Sequence, residues 1–131
     1  MLNELSQQIH ENAKSKGFYE GEKNTGEMLC LIHSEVSEAL EADRKGKFTV
    51  LSEDWHLQGM ANKNFGKTFS DDDVFKMRFE DSVKDTFEDE LADIMIRVMD
   101  LAAYRGIDIE NHIKAKMRYN AMREHKHGKN Y

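Results

Sequence analysis

Thr86–Arg105 reads TFEDELADIMIRVMDLAAYR, and the reading of this stretch decides the fold. Glu90 and Asp93 stand three residues apart in its middle. Three residues turn an α-helix by about 300°, so the two carboxylates fall within roughly 60° of each other on one face. Ile94, Val98, Leu101 and Ala102 continue an apolar stripe at steps of three and four, the period of a helix with one buried side. Two acids therefore interrupt a surface otherwise patterned as core. Glu35 and Glu38 repeat the arrangement in an earlier segment that has its own apolar stripe. Packing two such faces together gathers four carboxylates, which is costly unless a multivalent cation or bound protons neutralise them.

The rest of the chain suits a frame for such a cluster. Its 131 residues are enough for one domain with one core, expected to span 1–131. It is 34% charged and 39% hydrophobic, a soluble, globular balance. A formal net charge of −6 argues against nucleic acid as a partner, because a backbone binder needs a basic face. Cys30 is the single cysteine, so no intrachain disulfide forms, and a reduced, cytoplasmic setting follows. Its place between Leu29 and Leu31 suggests a small core residue rather than a nucleophile. No apolar run approaches a membrane span, and the N-terminal MLNELSQQIHENAK is too polar for a signal peptide. With no proline, few β-branched clusters and no long alternating run, the expected class is all-α.

Leu2, Leu5, Ile9 and Ala13 place a first helix from about Leu2 to Lys16, closed by Gly17 as a left-handed C-cap. Phe18 and Tyr19 follow; they read as satellite core or as a wall for a planar ligand group. Asn24, three before Glu27, resembles a capping box for a second helix running to about Arg44 and ended at Gly46. Met28, Leu29, Ile32, Val36, Ala39 and Leu40 form its apolar side, with His33 on the surface and Glu35, Glu38 and Glu41 in a row beside it. Between Lys47 and about Ser70 the pattern fades, although Trp55, Phe65 and Phe69 make it too aromatic for a simple linker, and Gly59 and Gly66 break it. A short helix and loop over a site, or a subunit contact, would suit it. Trp55 reads as a core anchor or, less readily, a base-stacking group. Ser70 before Asp71, Asp72 and Asp73 is a strong helix start. From there to Gly106 no breaker appears, so the sequence allows one long rod or two helices bent near Ser82 to Thr86. Asp108 caps a basic last helix, with Ile109, Ile113, Met117 and either Asn120 or Ala121 on one side. The terminal EHKHGKNY reads as a frayed end.

The acid pairs offer oxygen ligands only, which suits hard cations such as Mg²⁺ bound through a few carboxylates plus substrate phosphates. Lys116, Asn120 and Arg123 follow at i, i+4 and i+7 and share a helix face, where cations and an amide suit phosphate oxygens and a base or sugar edge. A solvated basic face is the blander reading. A di-iron bundle would need Glu-x-x-His on two helices. Neither acid pair carries the histidine; Glu53 with His56 and Glu124 with His127 have the spacing, but in the faded stretch and the tail. Together the residues point to metal-dependent phosphoryl chemistry on a nucleotide.

The acid pairs Glu35-x-x-Glu38 and Glu90-x-x-Asp93 resemble the split carboxylate motif of the MazG-like, all-α nucleoside triphosphate pyrophosphohydrolases, relatives of the dCTP pyrophosphatases and dimeric dUTPases. Lys116-Met-Arg-Tyr-Asn120-Ala-Met-Arg123 resembles their downstream Lys-Met-x-x-Asn-x-x-Arg element, and Lys126 to Tyr131 the basic tail that follows it. The likeness covers about Phe18 to Lys45 and Lys84 to Tyr131. It implies an antiparallel bundle of four to five helices that assembles as a homodimer or homotetramer. It implies Mg²⁺, with Mn²⁺ as a substitute, on Glu35, Glu38, Glu90 and Asp93. The substrate would be a (deoxy)nucleoside triphosphate, split to monophosphate and pyrophosphate. One carboxylate, Glu38, would orient or deprotonate the attacking water. Lys116, Asn120 and Arg123 would contact phosphates or sugar, and Phe18, Tyr19 or Trp55 would stack the base. The chain departs from the compact pattern in an insertion at about 47–86, and in Arg97, where some relatives carry tyrosine; Arg97 could reach a phosphate or pair with Asp93 or Asp100. The alternative is a non-catalytic nucleotide- or metal-binding helical module, against which stands the presence of all four acids. Stripes such as Phe75, Phe79 and Val83 need cover, a second reason to expect an oligomer.

Overall fold

Capping residues divide the chain into helices where the sequence led us to expect them, and between residues 82 and 87 they decide between its two alternatives. The computed structural model describes residues 1–57 and 70–130. Within them run α1 (Leu2–Ser15), α2 (Thr25–Arg44), α3 (Asp71–Ser82), α4 (Phe87–Tyr104) and α5 (Ile109–Ala121), with short 3-10 turns at Trp55–Leu57 and His125–Gly128. The described residues include no strand, so the all-α expectation holds for them. Phe65, Phe69, Gly59 and Gly66 lie outside the described residues. No helix among those described is long and apolar enough to cross a membrane.

The caps are the expected ones. Gly17 takes φ 85° after α1 and Gly106 φ 64° after α4, a left-handed turn that costs other residues a steric clash. Asn24 Oδ1 accepts from the Glu27 amide at 3.2 Å. A Cβ at position 26 would meet that oxygen at 2.9 Å, so Gly26 leaves the cap its room. Ser70 and Asp73 form a closed capping box on α3, each side chain accepting from the other's amide. Asp108 accepts from the Asn111 amide at 3.0 Å to start α5. The terminal stretch expected to fray instead holds the turn His125–Gly128.

Between Ser82 and Phe87 the rod is broken, and of the two arrangements the sequence allowed, the structure has two helices. Thr86 is the cause. Its Oγ1 donates to the Val83 carbonyl at 2.6 Å and accepts from the Asp89 amide at 3.3 Å. Asp89 in turn accepts from the Asp85 amide at 3.0 Å. Thr86 thus acts as an N-cap, with Asp89 reaching back past it to the preceding amide, a Thr-x-x-Asp start that the sequence contains but that unbroken helical periodicity obscures. Asp85 sits at φ 61°, a left-handed position that aspartate tolerates better than most residues.

The described chain forms two compact units, Met1–Cys30 with Met95–Tyr131 and Leu31–Ile94. In the first, α1 and α5 are tied at their starts. Glu110 accepts from the Leu2 amide at 3.0 Å, and Asn3 accepts from the Glu110 amide at 3.2 Å, so each side chain satisfies a first-turn donor of the other helix. Asp100 of α4 gathers a polar cluster: His10 Nδ1 lies 2.8 Å from one carboxylate oxygen, and the Tyr19 hydroxyl donates to the other at 2.7 Å. The Tyr19 ring meets His10 edge-on at 4.6 Å and lies 5.1 Å from Tyr104. Burial first, then the hydrogen bond to Asp100, raises the Tyr19 phenol above its ordinary pKa. Tyr19 is thus the satellite core residue of the two readings offered for it.

In the second unit the buried face of α2 is Glu35, Ala39 and Ala42. That corrects the expected stripe in part: its Ala39 is buried, but Leu29 in the first unit, with Val36 and Leu40 in the second, are each about half exposed. The two faces lie about 100° apart on the helix. Cys30, expected in the core, is also exposed, and for the same reason. In α5 no residue is buried; of the apolar side read from the sequence, Ile109 is half-buried and Ile113 and Met117 are exposed. The stripe on α3 does not wait for another subunit. Val83 is buried, and the Trp55 ring packs edge-on against Phe75 at 5.5 Å and Phe79 at 6.2 Å. Across the break, the Phe87 amide donates to the Lys47 carbonyl at 2.8 Å, and the Phe87 ring meets Phe48 at 5.9 Å.

Because Thr86 both caps α4 and closes the turn after α3, Thr86→Ala is expected to lower unfolding free energy by about 1–2 kcal/mol, with Thr86→Ser retaining most of it. Chemical denaturation of the three proteins measures this; an unchanged midpoint for alanine would show that the break has another origin.

Candidate functional site

Two helices of the unit Leu31–Ile94 bring the paired acids together. Glu35 projects from the buried face of α2, and Glu90 and Asp93 lie one turn apart on α4. One oxygen from each of Glu35, Glu90 and Asp93 lies within 4.8 Å of the others. Glu35 is 6% exposed and Glu90 7%. Glu38 stands outside this triad but lines the same cavity, of about 560 Å³. Of the expected four acids, three therefore converge and the fourth borders them.

The electrostatics are severe. Burial, then repulsion from Glu38, Asp93, Asp89 and Glu35 in that order, pushes the Glu90 carboxyl from its ordinary 4.5 up to about 7. No hydrogen bond from a described residue reaches the Glu90 carboxylate. Asp89 is also raised, by burial first, with the Asp85 amide bond opposing. Seven carboxyl groups and two lysines line the cavity, so it repels anions unless cations enter with them.

The donor set fits a hard divalent cation. Oxygens on opposite sides of an octahedral Mg²⁺ stand about 4.2 Å apart. Neighbouring oxygens stand about 3 Å apart, so a triad within 4.8 Å reaches these spacings by side-chain shifts of about 1–2 Å. The ligands are oxygen only, and the described residues hold no other group of three acids, histidines or cysteines close enough to share an ion. Glu53 and His56, the pair with di-iron spacing, belong to no such group.

The remaining expected residues fall elsewhere. Lys116, Asn120 and Arg123 belong to the unit Met95–Tyr131, as does Arg97, which is half-buried on α4. There Lys116 Nζ and Arg123 Cζ both lie over the Tyr119 ring, at 5.2 and 5.7 Å from its centroid. Asn120 Oδ1 is buried without a hydrogen-bond partner among the described residues, an acceptor that a ligand donor could satisfy. Among the candidate stacking groups, Phe18 is exposed, Tyr19 is held by Asp100, and Trp55 is packed on Phe75 and Phe79.

Sequence reasoning missed part of the cavity. Phe75, Lys76 and Phe79 of α3 line it, as do Lys84 and Asp85 of the turn. The step of four between Phe75 and Phe79 was visible, but it read as core. The Thr86-x-x-Asp89 cap would have ended α3 early enough to suggest that the residues before it turn toward the acids.

Comparison with protein-family models, curated proteins and solved structures gives no match for the chain.

The raised Glu90 carboxyl has a consequence for stability. A carboxyl protonated more readily when folded favours the fold at low pH, and that contribution is lost as pH rises from about 4.5 through about 7. In metal-free buffer the melting temperature is expected to fall over this range by on the order of 5–10 °C. Glu90→Gln should flatten the slope, and Mg²⁺ should stabilise more at pH 8 than at pH 5. Identical thermal-melting profiles for the parent and Glu90→Gln proteins would contradict this.

Proposed function

We propose that the chain is a Mg²⁺-dependent pyrophosphohydrolase that splits a (deoxy)nucleoside triphosphate into monophosphate and pyrophosphate. The observation that carries this reading is the convergence of Glu35, Glu90 and Asp93 within 4.8 Å, two of them buried, in a cavity that Glu38 also lines. Its support from sequence is the resemblance of the two acid pairs and of Lys116, Asn120 and Arg123 to the MazG-like enzymes.

On this reading Glu35, Glu90 and Asp93 hold the cation, with Mn²⁺ able to replace it. When bound, Mg²⁺ offsets the negative phosphate oxygens and makes water a better nucleophile near neutral pH. Glu38, beside the triad, holds a water and takes its proton as the oxygen attacks the α-phosphorus. The bond from that phosphorus to the bridging oxygen breaks, and pyrophosphate leaves with the electron pair. Lys116, Asn120, Arg123 and Arg97 are assigned to phosphate or sugar by the resemblance alone.

Pyrophosphate release from a panel of canonical and modified nucleoside triphosphates, with Mg²⁺ and with chelator, tests the reaction. Metal-dependent formation of monophosphate and pyrophosphate is expected, with Glu38→Gln slowing kcat by roughly 100-fold or more. Release of orthophosphate would move the attack away from the α-phosphorus. Metal binding with no turnover on any substrate would favour a binding module.

The same reading includes an antiparallel bundle assembled as a homodimer or homotetramer. Support comes from apolar side chains left open on two helices: Leu29, Val36 and Leu40 of α2, and Leu91, Met95 and Ile96 of α4. Sedimentation at micromolar concentration should give a dimer or tetramer; a clean monomer would remove this part of the proposal.

A further inference from the structure

The cavity beside the acids has a second wall of different chemistry. Phe75 and Phe79 of α3 both line it, and both are half-buried, with ring centroids 6.0 Å apart and planes 33° from parallel. Trp55 packs edge-on against each ring, which fixes the pair in place. Aromatic rings on a cavity wall are a platform for a planar group, since every heterocyclic base presents a π-face. Lys76, on the same helix, and Lys84, just beyond its end, add two cations. Lys76 stands 4.0 Å from Glu80, a long and exposed pair. Lys84 makes no ion pair with a described residue, although it borders a cavity rich in carboxylates. Five of the seven lining carboxylates lie on α2 and α4, while both aromatic rings and both ammonium groups lie on or just after α3, where Glu80 and Asp85 are the only lining acids. A ligand that matches this order has a planar ring, an anionic chain and an associated divalent cation.

We propose that the segment from Phe75 to Lys84 is the substrate-holding wall, with Phe75 and Phe79 stacking the base of a nucleoside triphosphate and Lys84, assisted by Lys76, holding its phosphate chain. This rests on the proposed function for the identity of the ligand, but it moves both recognition tasks to residues other than those the resemblance assigns. Phe18 and Tyr19 give up the base, and Trp55 acts from behind the stacking pair rather than against the ligand. Lys84 takes a phosphate contact in addition to any made by Lys116 and Arg123. The acids hold the cation and α3 holds the nucleotide, so substrate affinity and chemistry divide between different helices.

Calorimetric binding in Mg²⁺ tests the assignment without turnover. The probes are α,β-methylene analogues of the common nucleoside triphosphates and inorganic tripolyphosphate. Lys84→Ala changes an exposed residue and is expected to weaken both probe types roughly tenfold, with Lys84→Arg restoring most of the affinity. Phe79→Leu keeps an apolar side chain at the site. It is expected to weaken the nucleotide analogues by at least roughly fivefold and leave tripolyphosphate unchanged. Circular dichroism melting of each variant separates lost binding from lost fold, and Phe79→Tyr provides a folded aromatic control that should bind as the parent does.

Unchanged affinity in Lys84→Ala and in Phe79→Leu, with Lys116→Ala losing it, would overturn the proposal and return recognition to α5. Failure of the parent protein to bind any probe would overturn it as well. Nucleotide binding that depends on Phe79 and Lys84, without pyrophosphate release from the parent nucleotides, would uphold the wall and defeat the proposed reaction.

Discussion

The Glu90 carboxylate is kept from water beside four other carboxylates, and much of the unit Leu31–Ile94 is arranged around that cost. With no hydrogen bond from a described residue and with like-charged neighbours, the carboxyl does not lose its proton near 4.5 but keeps it up to about 7. The position must be enforced by the backbone, because the side chain itself gains nothing from being there. Thr86 does this by fixing the start of α4, from which Glu90 and Asp93 follow at set angles. Small residues on the buried side of α2, Ala39 and Ala42, share that side with Glu35 and keep bulk away from it. Such strain persists where the rest of the fold over-determines it, and a cation shared by all three acids would relieve it.

The helix ends were legible because they depend on short-range chemistry. Ser70 with Asp73, Asp108 with Asn111, and Asn24 with Glu27 each act over three residues, so the sequence alone contains the whole interaction. The acid pairs were legible for a similar reason, since a spacing of three determines a shared helix face. Which face of a helix is covered is a different matter. Of the apolar side expected for α2, Ala39 is buried, but Leu29, Val36 and Leu40 are not, and Glu35 and Ala42 are buried beside Ala39 instead. Hydrophobic patterning says which surface gains by leaving water; it does not say what is available to cover it. Cys30 was misplaced by the same step.

Periodicity also left the break between α3 and α4 as only one of two alternatives. Phe75, Phe79, Val83 and Phe87 step evenly by four, and nothing among them is a helix breaker. The interruption comes from a polar signal laid over that pattern, in which Thr86 and Asp89 offer the backbone an alternative set of hydrogen bonds. Once the rod is broken, α3 need not continue the direction of α4, and its aromatic residues become cavity lining rather than another core stripe. The unmatched step was thus a local one, but its consequence reaches the site. By contrast, Tyr19 was read as either core or ligand wall, and Asp100 and His10 decide between them through contacts over 80 residues apart in sequence that no local pattern contains.

Charge balance links the acids to the residues that sequence reasoning missed. With seven carboxyl groups and two lysines, the cavity is a poor place for a polyphosphate on its own. One divalent cation on the triad offsets only part of the excess, so a phosphate chain entering beside it needs further positive charge close by. Lys84 and Lys76 supply it from the wall facing the ligand, without adding to the acid face itself. A site with the acids alone would bind a cation and stop there; a site with the lysines alone would bind phosphate and hold it away from any metal. A phosphate chain lying between a cation on the triad and the two lysines would then meet positive charge from both sides, with Glu80 and Asp85 the only acids on the lysines' own segment. The reaction proposed for the chain requires such an arrangement, because the α-phosphorus must be reached by a water beside Glu38 while the leaving pyrophosphate still carries most of the negative charge.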